Sequence, residues 1–177
     1  MKRYQAQAGT SLIELLSTLS IVAILSMLAT PSVMALMNNS SVVSTQQLLL
    51  QDIRLLRSES AMRHTQSYLC ALDEKGKCAR RANWNRGWMG FADNNQSKHF
   101  DAGDDIIVKY HNLPAVGIDI ILHTRWKNLK FNTLGVLRSS GHFRLCDKRN
   151  SVKRNIKLVR MNMQGRAYLD ESKLECR

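Results

Sequence analysis

The chain has 177 residues, enough for about one domain with a modest core. Its formal charge of +12 is uneven, which excludes a uniformly basic surface. Residues 1–120 carry twelve basic against ten acidic side chains, a net of +2 that Lys2 and Arg3 account for, whereas 121–177 carry fourteen against four, a net of +10. The positive field therefore belongs to the C-terminal third, where it would attract polyanions or an anionic surface. The four cysteines, Cys70, Cys78, Cys146 and Cys176, form no C-x-x-C pair and have no histidine at zinc-ligand spacing, which speaks against a structural zinc site.

In chain order, Met1–Gly9 is polar and basic. An apolar run follows from Leu12 to Leu28 and, extended to Met37, meets the ~20 residues a helix needs to cross a bilayer. Basic residues precede it and none follows until Arg54, predicting a cytoplasmic N-terminus and an external C-terminal domain. A secretory signal peptide fits poorly, because no small-residue cleavage site follows the apolar core. Glu14 is anomalous, since a carboxylate in an apolar span is costly to bury and calls for a cationic partner. A cut between Gly9 and Thr10 would supply one: the new α-amino group, which Glu14 of a neighbouring subunit would neutralise.

Pro31 lacks an N–H and should kink the helix without ending it. Beyond Asn38–Ser41, Val42, Leu49, Ile53 and Leu56 recur at three-to-four-residue steps, predicting an amphipathic helix to about His64. After Thr65 the pattern changes to short strand-like runs: Ser67–Leu72, Trp88–Phe91, Ile106–Tyr110, Ile118–Thr124, Leu129–Phe131, His142–Cys146, Ile156–Met161 and Arg166–Leu169. The expected fold class is α+β, a long kinked and partly transmembrane N-terminal helix packed on a small antiparallel sheet or sandwich. With an external domain the cysteines read as two disulfides. Three connectivities are open, and sequence proximity favours Cys70–Cys78 with Cys146–Cys176. Each would contribute roughly 2.5–3.5 kcal/mol on the chain-entropy account.

No catalytic constellation is present: the five histidines are scattered, without H-E-x-x-H or Gly-x-Ser-x-Gly. The expectation is a protein that is not an enzyme and holds no metal or cofactor. Asp93, Asn95, Ser97 and Asp104 resemble a calcium loop, but Lys98 stands where glycine is needed, so a solvated loop is expected. The basic cluster is the functional candidate. Arg138, Arg144, Lys148, Arg149, Lys153, Arg154, Lys157, Arg160 and Arg166 accompany a single acid, Asp147, within about thirty residues. Alternation puts His142 and Arg144 on one face, opposite Phe143 and Leu145. Such a patch would contact phosphates without reading sequence, and Tyr168 or Trp126 could stack on bases.

The run Gly9-Thr10-Ser11-Leu12-Ile13-Glu14-Leu15 behind a short basic leader, with Pro31 in the helix, resembles the type IV pilin and type II secretion pseudopilin superfamily. Tyr68-Leu69-Cys70, Cys78, Gly87 through Asp93, Phe131-Asn132, Gly135, Phe143 through Cys146 and Gly165-Arg166 resemble its GspH/FimT branch. Thr10 departs from the usual Phe, and Tyr168 stands where the DNA-binding members of that branch carry the second Arg of Gly-Arg-x-Arg. The resemblance implies a leader at 1–9 removed by a prepilin peptidase, N-methylation of the new terminus, a transmembrane and assembly helix at 10–37, and a globular domain at 38–177. It implies an inner-membrane protein with a periplasmic domain, later built into an extracellular pilus with major and minor pilins. Two roles stay open: a FimT-like minor pilin near the pilus tip, with DNA binding for natural transformation through Arg144, Lys148, Arg149, Lys153, Arg154, Lys157, Arg160 and Arg166, or a GspH-like pseudopilin serving protein export.

Overall fold

The architecture comes from a computed structural model that describes residues 11–79, 84–111, 117–148 and 155–175, apart from the side chains of 27–39, 110, 111, 155 and 171–175. Helix α1 spans Leu12–Arg63. Eight strands follow among the described residues: β1 (Gln66–Ala71), β2 (Gly87–Asp93), β3 (Asp105–His111), β4 (Ile118–His123), β5 (Leu129–Phe131), β6 (Gly141–Asp147), β7 (Asn155–Met161) and β8 (Ala167–Glu175). Each strand-like run of the sequence corresponds to one of them. The largest difference is β8, expected to end at Leu169 but continuing to Glu175. Asp170-Glu171-Ser172-Lys173 has no apolar alternation, and backbone pairing of Leu158 with Asp170, Lys157 with Glu171 and Ile156 with Ser172 extends the strand.

The chain divides into two compact units, Met1–Met37 and Asn38–Arg177. In the first, every described side chain from Ser11 to Ser26 is exposed, with the large apolar ones at 51–77% of their full accessibility. Ser17, Thr18, Ser20 and Ser26 return their hydroxyl protons to carbonyls three or four residues earlier, which hides their polarity from an apolar environment. Among the described residues no helix is long and apolar enough to cross a membrane. The described side chains of the apolar run, 12–26, cover only about 22 Å of helix against a ~30 Å hydrocarbon layer. The remainder of that run, including Pro31, lies where side chains are not described.

In the second unit, α1 buries Val42, Gln46, Leu49, Ile53, Leu56 and Ser60, one stripe at alternating steps of four and three. The two polar members are satisfied: the Gln46 amide donates to Leu158 O at 2.8 Å, and the Ser60 hydroxyl lies 2.8 Å from Thr65 O and 2.6 Å from Asn132 O. The helix ends as His64 turns left-handed, φ 51°, and Thr65 N donates to Ser60 O, a Schellman closure.

Against this stripe stand two four-stranded antiparallel sheets, ordered β3-β2-β1-β5 and β4-β6-β7-β8. One core joins Leu49, Ile53 and Leu56 to Leu69 and Trp88 of the first sheet and to Phe143, Leu145 and Val159 of the second. Gly90 permits the closest approach, since a methyl there would meet Leu56 and sit 2.7 Å from Val108 Cγ2. The first sheet has a second buried face, where Tyr68, Cys70, Leu72, Met89 and Phe91 lie under Cys78 and Phe100. The Cys70–Cys78 disulfide closes one of the covering loops. Among the described residues no cysteine is free and Cys146 is also disulfide-bonded, while Cys176 lies outside them.

Candidate functional site

The second sheet turns Phe143 and Leu145 into the core and leaves His142 and Arg144 on its outer face, as alternation predicts. Register then builds two rows across the four strands. His123, His142, Arg160 and Tyr168 form one, and Ile121, Arg144, Leu158 and Asp170 form the next. The His123 and His142 rings stack with centroids 4.9 Å apart. Partial burial, reinforced by His123, Arg160 and Arg144, holds the His142 imidazole below its ordinary pKa.

The predicted basic residues divide. Arg144 and Arg160 share the outer face, where Arg160 is ion-paired with Asp170 and Arg144 Nε is buried with no hydrogen-bond partner among the described residues. Lys157 falls on the core-facing side of β7, opposite Leu145. Lys148 lies just beyond the end of β6, 3.3 Å from Asp119. Arg166 is exposed in the β7–β8 turn, at the opposite end of the sheet. Arg149, Lys153, Arg154 and Cys176, like Gly9 and Thr10, lie outside the described residues. Glu14 is exposed in the first turn of α1.

Two contacts give Gly165 and the helix arginines a structural role that spacing did not show. Gly165 has φ +77°, and a methyl there would strike the Gly135 carbonyl oxygen. Arg57 Nε reaches that same Gly135 oxygen at 3.3 Å, and Arg54 donates to Ala167 O at 3.3 and 3.1 Å. Both arginines lie off the apolar stripe, and their long side chains tie the β5–β6 loop and the start of β8 to α1.

The expected solvated loop after β2 is corrected in one respect: Asp93 is 1% exposed. Its carboxylate accepts the Ser97 and Lys98 amides at 2.9 and 3.1 Å, a backbone turn satisfied from within. Asp101 is held below the ordinary carboxylate range by the Asn95 amide and Gly103 N–H. No cluster of three metal-ligating side chains occurs among the described residues.

A second basic group gathers where sequence reading saw only Trp126 and Arg138. Lys98, Arg125, Lys127, Lys130 and Arg138 line a cleft beside the β4–β5 loop.

Residues 45–165 match the family described as Type II transport protein GspH. The chain belongs to the GspH family. The match begins inside α1 and ends at Gly165, so it covers the stripe from Gln46 to Ser60, the first sheet and strands β4, β6 and β7, and stops short of β8. This GspH-family fold is also similar to two crystal structures of the Pseudomonas aeruginosa type IV minor pilin FimU. They share 16% sequence identity with it, at TM-scores of 0.56 and 0.51. The alignments cover 75% and 72% of this chain and 90% of each of those. No curated protein sequence matches.

Proposed function

We propose that the chain is a minor pilin, a structural filament subunit that works by assembly and not by catalysis. The observation that carries this reading is the Gly9–Glu14 motif and the apolar run after it standing N-terminal to the GspH-family match at 45–165. A prepilin peptidase cuts between Gly9 and Thr10, and the new terminus is N-methylated. The apolar run to Met37 holds the protein in the bacterial inner membrane with residues 38–177 in the periplasm. Glu14 then neutralises a neighbouring α-amino terminus as the subunit joins major and minor pilins near the tip of an extracellular pilus. The exposed apolar surface of 12–26 and its internally bonded hydroxyls suit first lipid and then a bundle of neighbouring helices. The fold likeness to a type IV minor pilin favours the pilus over export. The family description favours the other role, a pseudopilin of type II secretion.

Mass spectrometry of the protein from cells tests processing: a mature chain beginning at Thr10 is expected, and an uncut chain overturns the proposal. In Glu14→Ala, cleavage should persist while the subunit disappears from sheared filaments. Loss of exoprotein export with intact pili, on deletion of the gene, selects the pseudopilin role.

The finer ligand reading is sequence-independent binding of duplex DNA for natural transformation, through the C-terminal basic region. It is supported by Arg144 and Arg160 lying on the outer face of the second sheet, with Arg166 at its end. Affinity should fall steeply with salt and drop in the combined Arg144→Ala, Arg160→Ala, Arg166→Ala variant. Equal affinity in that variant rejects this region as the DNA surface.

A further inference from the structure

Several cations of the fold are neutralised within it. Arg160 pairs with Asp170, Lys148 with Asp119, Arg86 with Glu74 and Arg63 with Glu59 and Asp105. By contrast, none of Lys98, Arg125, Lys127, Lys130 and Arg138 has an ion-pair partner among the described residues. These five converge on one open cleft of about 700 Å³, and no Asp or Glu lines it. Five like charges around one hollow repel each other, and a polyanion seated there relieves that repulsion.

Aromatic rings are interleaved with the charges. The Arg138 guanidinium lies 3.7 Å from the centroid of Trp126, and Lys130 Nζ lies 5.3 Å from that of Tyr68. Trp126 is 41% exposed, while Trp84 and Trp88 are buried at 1% and 0%. One ring face of Trp126 is occupied by Arg138, which leaves the other for a planar partner.

We infer that this cleft is a binding site for single-stranded nucleic acid, with backbone phosphates on the Lys and Arg side chains and a base stacked on Trp126. An acidic peptide would use the cations and leave the ring idle. A duplex keeps its base faces inside the stack, beyond the reach of Trp126. Single strands use both features together. The inference rests on the nucleic-acid reading above only for ligand class, since the place and the strandedness differ.

The test uses the full chain in a neutral detergent with oligo-dT, a duplex of equal length and poly-glutamate, across a salt series. Because Trp126 is the exposed tryptophan among the described residues, oligo-dT should quench the tryptophan emission, and the quenching should vanish in Trp126→Phe while much of the affinity remains. Trp126→Ala should weaken oligo-dT binding about tenfold. Arg125→Ala with Lys127→Ala should lower the slope of log affinity on log salt by about 1.4 for single strands. The combined Arg144, Arg160, Arg166 variant should leave oligo-dT binding nearly intact. An unchanged affinity in Trp126→Ala overturns the cleft, as does poly-glutamate competing as well as oligo-dT or an unchanged slope in the double variant. If the C-terminal variant alone abolishes binding, the earlier region is the site and the cleft is rejected; if neither nucleic acid binds, both readings fail. Should Trp126→Ala lower the thermal midpoint, the double variant's slope and the Trp126→Phe quenching still decide.

Discussion

The two sheets face α1 alike but differ on their other sides. The outer face of β3-β2-β1-β5 is covered by the Cys70–Cys78 loop and by Phe100, so every residue of β2 is buried. The outer face of β4-β6-β7-β8 carries a small buried cluster of Cys146, Ile156 and Leu158 beside half-buried Ile121, His142, Arg144 and Asp170 and exposed His123, Arg160 and Tyr168. Strands β1 and β2 of the first sheet are thus interior on both sides. The second is half interior and half surface.

The sharpest way to break this contrast is to truncate matched outer-face aromatics. Phe91→Ala should cost about 3–5 kcal/mol, because a side chain 2% exposed leaves a cavity. Tyr168→Ala, 45% exposed, should stay within about 0.5 kcal/mol. Equal losses in denaturant unfolding would mean that the second outer face is also interior.

Next in size, Cys70→Ser with Cys78→Ser removes the closed loop over the first sheet, whose cysteines are 8 residues apart. A stability loss of roughly 2.5 kcal/mol is expected on the chain-entropy account. A much smaller loss would show that the cover holds without its covalent closure.

A smaller effect sits where α1 meets β2. Burial pushes the Asp52 carboxyl above its ordinary 3.8, partly offset by the Trp88 indole N–H at 2.7 Å. A raised acid contributes stability below 3.8 that is lost as pH rises through the raised value. Asp52→Asn keeps an acceptor for Trp88 without the charge. It should be at least as stable as the parent at pH 7, with its advantage disappearing toward pH 3.8. A less stable variant at pH 7 would mean that the charged form is favoured there.

The smallest effect belongs to the open face. His142 is held below its ordinary 6.5, so its contribution is present above 6.5 and is lost as pH falls toward the lowered value. The thermal midpoint should decline below pH 6.5, and His142→Gln should flatten that decline. A parent curve flat across this window would mean that the stacked His pair gains its proton at no cost.

Much of this was legible beforehand, for a common reason. Val42, Leu49, Ile53 and Leu56 repeat at helical spacing because one helix face meets one core. Phe143 and Leu145 alternate with His142 and Arg144 because the second sheet is wet on one side. The β1 and β2 runs were found as strands, but nothing in them announced a second buried face, since a sheet covered twice loses its alternation. Asp93 read as loop surface because a carboxylate satisfied by backbone amides looks, in sequence, like one satisfied by water.

The sequence by itself determined the element order and the core face of α1, both properties of local spacing, and favoured the Cys70–Cys78 pairing that the structure holds. Only the tertiary structure decided where the charge acts. It separated Lys157 and Arg166 from Arg144, paired Arg160 and Lys148 with Asp170 and Asp119, and brought Lys98 to Arg125, Lys127, Lys130 and Arg138 around one cleft. Net charge is a sum over the chain, but an electrostatic site depends on distances and on the counter-charges within reach, and strand register sets both.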